Sequence, residues 1–107
     1  MRICQEEIFG PVAGVLRAKD LDEAIRICNA SPFGNGQAIF TSSGKNAREF
    51  QYRITSGNVG INIGIVAPMA FFPFSGMKDS FLGILHTQGR EAVRFFTESK
   101  VVIQRWL

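Results

Sequence analysis

Glu6 and Glu7 stand side by side just ahead of a Phe9-Gly10-Pro11 turn. Paired carboxylates in that setting can work as acid and base, or accept hydrogen bonds from the hydroxyls of a sugar. On spacing alone, solvated surface carboxylates before a strand are the default reading. Cys4 precedes those carboxylates, whose charge opposes a nucleophilic thiolate, and Cys28 falls among apolar residues where a small side chain simply packs. The two cysteines are too few and too far apart for a CxxC redox or zinc site. His86 is the only histidine, which excludes a His-rich metal cluster and leaves a solvated or capping role as the expectation. No metal site and no catalytic residue is assigned within the chain.

Two glycine-containing segments invite a phosphate-binding reading. Gly34-Asn35-Gly36 lacks a third glycine and precedes a strand where a helix N-terminus is required, so it reads as a turn. Gly76-Met77-Lys78-Asp79-Ser80 has the end of a nucleotide-binding loop but no glycine five residues before Gly76 and no leading strand, so that reading is set aside. Phe71, Phe72, Phe74, Phe81, Phe95 and Phe96 could line an apolar pocket, although core packing is the default for most of ten phenylalanines.

A chain of 107 residues, 46% hydrophobic, can build one small core and is too short for a two-domain dinucleotide enzyme. Its formal charge of +3 is spread along the sequence, with no block of cations that could track a phosphate backbone, so no nucleic-acid partner is expected. Residues 1–10 carry Gln5, Glu6 and Glu7 where a signal peptide needs an apolar run. The most apolar stretch, residues 61–74, is broken by Asn62, Gly64, Pro68 and Pro73, which suits a buried wall and not a membrane span. No membrane partner is expected, and a reducing cytoplasm suits the cysteine usage.

The elements that must position these residues follow from periodicity. A loop entering a strand at about Val12 is predicted from the β-formers of residues 8–16. Asp20 is placed to cap a helix carrying Leu21, Ala24, Ile25 and Cys28 as its apolar stripe, with Glu23 three residues on. A short strand over residues 37–41 follows the turn. Ser42-Ser43-Gly44 offers the next cap, Ala47, Phe50 and Ile54 recur at helical spacing, and Gly57 is the expected C-cap. Val59, Ile61 and Ile63 alternate as a strand, residues 65–85 form a long irregular segment, a third helix begins near Gly89, and residues 101–103 start a last strand. The strand-helix alternation favours a parallel sheet, and its small size makes it part of a larger one.

The segment Glu7-Ile8-Phe9-Gly10-Pro11-Val12 resembles the E-x-F-G-P motif of the aldehyde dehydrogenase superfamily. Four further markers then come in that family's C-terminal order: Asn29-Ala30-Ser31-Pro32-Phe33-Gly34, Gly57-Asn58-Val59-Gly60-Ile61-Asn62, Phe74-Ser75-Gly76-Met77-Lys78-Asp79-Ser80, and Phe96-Thr97-Glu98-Ser99-Lys100-Val101-Val102. Residues 67–76 and 100–106 are most similar to the CoA-acylating malonate and methylmalonate-semialdehyde dehydrogenases.

The resemblance implies an α/β fold, a partial parallel sheet with flanking helices. Residues 1–99 would be the C-terminal part of the catalytic domain, and residues 100–107 a strand of the oligomerisation sheet. It implies NAD as cofactor, CoA as co-substrate, a small aldehyde as substrate, and a homo-oligomer in the full-length enzyme. Glu7 matches the glutamate that accepts the nicotinamide ribose hydroxyls, Phe9 the aromatic beside the nicotinamide ring, and Phe74 belongs to the segment bordering the aldehyde path. Family members are several times longer, and their nucleophilic cysteine, general-base glutamate, oxyanion asparagine and cofactor domain all precede the position of Glu7. On that ground Met1 and Arg2 are expected to mark an internal start or a truncation, and the chain alone is expected to be inactive. Two other readings stand beside this one: a non-catalytic remnant or interaction module, and a piece of a hydrolytic aldehyde dehydrogenase.

Overall fold

The computed structural model describes residues 2–107. A 3-10 turn, Arg2–Cys4, is followed by α1 (Leu21–Asn29), β1 (Phe33–Gly34), β2 (Gly36–Ile39), α2 (Gly44–Arg53), β3 (Asn58–Ile61), β4 (Met77–Lys78) and α3 (Gly89–Phe95). α1 starts where Asp20 Oδ1 accepts the Glu23 N–H at 2.8 Å, while Glu23 Oε2 reaches back to accept the Lys19 N–H at 2.9 Å. This is a reciprocal cap displaced by one residue from the usual box. α2 is capped by Ser43 Oγ on the Asn46 N–H at 3.2 Å.

β2 and β3 pair in parallel, with Gln37 opposite Val59, Ala38 opposite Gly60 and Ile39 opposite Ile61. α2 is the crossover between them, as parallel strands require a connection of this kind. Ile25, Phe50 and Ile54 form the buried apolar core, joined by the half-buried Leu21, Cys28, Ile39 and Val59. The expected packing role of Cys28 is thus met. β1 and β4 form a second, antiparallel pair, Phe33 opposite Lys78 and Gly34 opposite Met77.

Three expectations change. α2 ends at Arg53, and Ile54 is extended with ψ 135°, so Gly57 is no C-cap. It is needed because the Gly76 backbone passes directly over it and a Cβ there would collide. The strand expected near Val12 is not formed, and residues 101–103 are in no strand among the described residues. β-forming side chains make a strand only where a neighbour completes the ladder, and neither segment has one here.

The shape explains why so little is buried. The radius of gyration is 18.8 Å and the principal extents are 72 × 34 × 22 Å, whereas a compact domain of this length has a radius of about 13 Å. The accessible surface is 9317 Å², against roughly 5,900 Å² for a folded monomer of this mass. The α/β elements are part of a larger fold, and no helix among the described residues is long and apolar enough to cross a membrane.

Candidate functional site

The carboxylates of the N-terminal segment sit on one side of a cleft of about 380 Å³ whose other wall is Ser31, Pro32, Phe33, Asn35 and Ser80. Glu6 is paired with Arg2 at 2.9 Å in an exposed contact, which contributes little to stability. Glu7 is exposed at the same cleft. Phe9, two residues on, is 93% exposed and leaves its ring face open. Cys4 is exposed beside these carboxylates. A carboxylate with open lone pairs and a flat apolar face two residues away suit a sugar hydroxyl pair and an aromatic ring respectively.

The far wall of this cleft is held by side chains that bond to backbone. Lys78 Nζ donates to Asn29 O and to Ser31 O, each at 2.9 Å, so an ammonium closes the C-terminal end of α1 where the helix dipole favours a cation. Ser80 Oγ accepts the Gly34 N–H at 3.1 Å, and Asp79 N–H reaches Pro32 O at 3.1 Å. Asn29 bonds both ways to the exit of α2, through Arg53 O at 2.8 Å and the Thr55 N–H at 2.8 Å. Arg53 also pairs with Asp22 and Glu49, and the hydrogen bond to Asp22 pushes its pKa further above the ordinary arginine range. Spacing did not reveal Lys78, Asn29 or Ser80 as clasps; the signal was their place inside the motif segments.

A second concavity, a groove of about 630 Å³, is walled by the start of β3 and by the irregular segment after it. Val59, Ile63, Ile65, Val66, Met69 and Phe72 supply its apolar surface. Phe74 is 42% exposed and its N–H is tied to Thr87 O at 2.7 Å, beside the groove and outside its lining; Phe72 and Ser75 line it instead.

His86 departs from the solvated role expected of it. Its side chain is only 20% exposed, its Nδ1 lies 2.8 Å from Glu91 Oε2, and its ring stacks on Phe81 at 4.2 Å. The backbone N–H of His86 donates to the same carboxylate oxygen at 2.8 Å. That bond first, and the ring bond second, hold the Glu91 carboxyl below the usual carboxylate range against a smaller opposing effect of burial. On its other side His86 Nε2 is 3.4 Å from Ser75 Oγ. No group of three or more metal-ligating side chains occurs among the described residues.

With this geometry in place, comparison with known proteins gives a consistent answer. Residues 1–102 match the aldehyde dehydrogenase family. A malonate-semialdehyde dehydrogenase of Bacillus thuringiensis is 54% identical over 106 residues, which is 99% of this chain and 22% of that relative. Among solved structures, a putative methylmalonate-semialdehyde dehydrogenase of Sinorhizobium meliloti complexed with NAD superposes with a TM-score of 0.97 at 41% identity, over 100% of this chain and 22% of the other. The methylmalonate-semialdehyde dehydrogenase of Oceanimonas doudoroffii gives 0.93 at 48% identity, over 96% and 21%. The chain therefore spans about a fifth of the length of the relatives it matches.

Proposed function

The chain belongs to the aldehyde dehydrogenase family, and on that premise we propose that it works as the C-terminal part of an NAD-dependent, CoA-acylating malonate or methylmalonate-semialdehyde dehydrogenase of the cytoplasm. The observation that carries this reading is the match over nearly the whole chain, 54% identical to a malonate-semialdehyde dehydrogenase. In this role residues 1–99 are part of the catalytic domain and residues 100–107 contribute to an oligomerisation sheet in a homo-oligomer.

NAD, when bound, takes up the hydride released as the aldehyde is oxidised. This chain's contribution is to hold and orient. Glu7 accepts two hydroxyl hydrogen bonds from the nicotinamide ribose, which a carboxylate can do and an amide does less well. Phe9 lays its exposed face against the ring. Phe74, with the neighbouring groove, borders the path of the aldehyde. The nucleophile and the CoA-dependent release of the acyl group belong to the part of the enzyme outside this chain, so the chain by itself oxidises no aldehyde.

The test is to join residues 2–107 to the upstream part of the 54% identical Bacillus relative and follow NADH formation from malonate semialdehyde. CoA-dependent NADH and an acyl-CoA product are expected. Formation of the free acid without CoA would assign the chain to a hydrolytic enzyme. A folded fusion without turnover would favour a non-catalytic interaction module.

A further inference from the structure

Among the residues lining the groove only Asn58 and Ser75 have polar side chains. Asn58 commits its amide hydrogens to Asn35 O at 3.1 Å and Ser75 O at 2.6 Å. Asn58 can then only accept, through Oδ1, whereas the Ser75 hydroxyl can donate or accept, so its orientation decides what polar group this otherwise apolar concavity can take. Which way this hydroxyl points is decided two residues deeper. Glu91 Oε2 accepts from the His86 backbone N–H at 2.8 Å and faces His86 Nδ1 at 2.8 Å. Its bonds to His86 keep Glu91 ionised, and an ionised carboxylate only accepts. Nδ1 must therefore carry a hydrogen. A neutral ring then has its lone pair on Nε2, which lies 3.4 Å from Ser75 Oγ and 3.5 Å from Gly76 O. Gly76 O is also an acceptor and cannot serve that lone pair, so the donor in the Nε2 contact is the Ser75 O–H. Phe81, stacked at 4.2 Å and 25°, fixes the plane of the ring.

We propose that Glu91 and His86 position the Ser75 hydroxyl, drawing its hydrogen toward His86 Nε2 and presenting its oxygen to the groove as a hydrogen-bond acceptor. His86 is a positioning residue that acts through Ser75. It joins α3, which carries Glu91, to the groove wall, so the wall is set by a helix that lies further along the chain. The kinetic consequence of this arrangement rests on the proposed function; the arrangement itself does not.

Because His86 is the only histidine of this chain, nitrogen NMR of the fusion enzyme labelled only in residues 2–107 reads its ring without ambiguity. At mildly alkaline pH the hydrogen is expected on Nδ1, with Nε2 unprotonated. Ser75→Ala should shift the Nε2 resonance, Ser75→Thr should restore it, and Glu91→Gln should release the ring toward the Nε2–H form. A neutral ring protonated on Nε2 in the unaltered chain, or an Nε2 resonance indifferent to Ser75→Ala, overturns the proposal. In the fusion enzyme, Ser75→Ala and His86→Asn should each raise KM several-fold with a smaller change in kcat, and the double variant should go no further. Additive effects would overturn the proposal. Absence of turnover in the unaltered fusion would count against the proposed function, while the ring resonances would still decide the arrangement.

Discussion

Replacing Lys78 with methionine tests whether the cleft wall is held by polar clasps or by packing. The substitution keeps an unbranched stem and removes the ammonium, leaving Asn29 O and Ser31 O without the donor that reaches each at 2.9 Å. A hydrogen bond to a charged group contributes about 1.5–3 kcal/mol. Lys78 is half-buried, so water can replace part of each bond, and the net loss should be about 2 kcal/mol, or roughly 30-fold in a local opening equilibrium. The loss should stay local, because Lys78 lies in the two-residue β1–β4 pair and away from the β2–β3 ladder. Native-state amide exchange in the fusion enzyme separates the two. The Gly34 and Asp79 amides, bonded to Ser80 Oγ and Pro32 O, should lose protection in Lys78→Met. The Asn62 amide, bonded to Ile39 O at 2.8 Å, should keep it. Equal loss at both sets would mean that the two sheets open as one unit, and no loss at Gly34 would mean that Lys78 is not a clasp.

The isolated chain should self-associate and melt without a sharp transition, since it exposes roughly 3,400 Å² more surface than a folded monomer of its mass; a clean monomer in sedimentation with a cooperative transition would contradict this. In the fusion enzyme Glu7→Gln should slow hydride transfer by roughly the 1.5–3 kcal/mol of a charge-assisted hydrogen bond while leaving the fold intact, which single-turnover kinetics can read. The Glu91 carboxyl is lowered by its bonds to His86, so the stability it gives α3 is fully present above the ordinary glutamate range and is lost as pH falls through its depressed value; the acid limb of α3 amide protection should flatten in Glu91→Gln. Gly57→Ala should disrupt the contact with Gly76, costing on the order of 1–3 kcal/mol, with the damage visible first at the Asn58 amide, which bonds Asn35 O at 2.9 Å.

Local chemistry was well legible in the sequence. Asp20 with Glu23, Ser43, the Leu21 to Cys28 stripe and the parallel pairing of β2 with β3 follow from periodicity and capping, although the strands end at Ile39 and Ile61, short of the expected residues 41 and 63. Glu7 and Phe9 are candidates through motif resemblance alone, because their spacing reads as ordinary surface residues. The β-formers near Val12 predict a strand that is absent because a strand is a relation between two segments and its partner is not encoded next to it. Gly57 reads as a helix end for the same reason: its need for φ freedom or for room looks identical in sequence, and only the Gly76 backbone overhead distinguishes them. His86 gave no periodic signal, since its partners Ser75 and Glu91 come from either side of a loop.

The two kinds of interaction in this chain do different work. Three buried apolar residues cannot supply the burial that offsets the ordering of over a hundred residues. Yet the backbone superposes at a TM-score of 0.97 on a relative nearly five times longer. Shape at this fidelity is specified by side chains that bond to backbone groups at fixed distances: Asn29 on the exit of α2, Asn58 on Asn35 and Ser75, Asn62 on both backbone groups of Thr41, and Lys78 on the end of α1. Such bonds discriminate strongly between conformations because each unmade one leaves a polar group unsatisfied, but the net contribution of a neutral one is only about 1 kcal/mol. Stability must then come from covering the exposed apolar side chains, among them Ile65, Met69, Phe71 and Phe72. Specification comes from clasps within this chain and stabilisation from burial it cannot supply alone, which is why several motif residues, Asn29, Asn58, Asn62, Lys78 and Ser80, bond to backbone while large apolar side chains such as Phe71 and Trp106 are exposed.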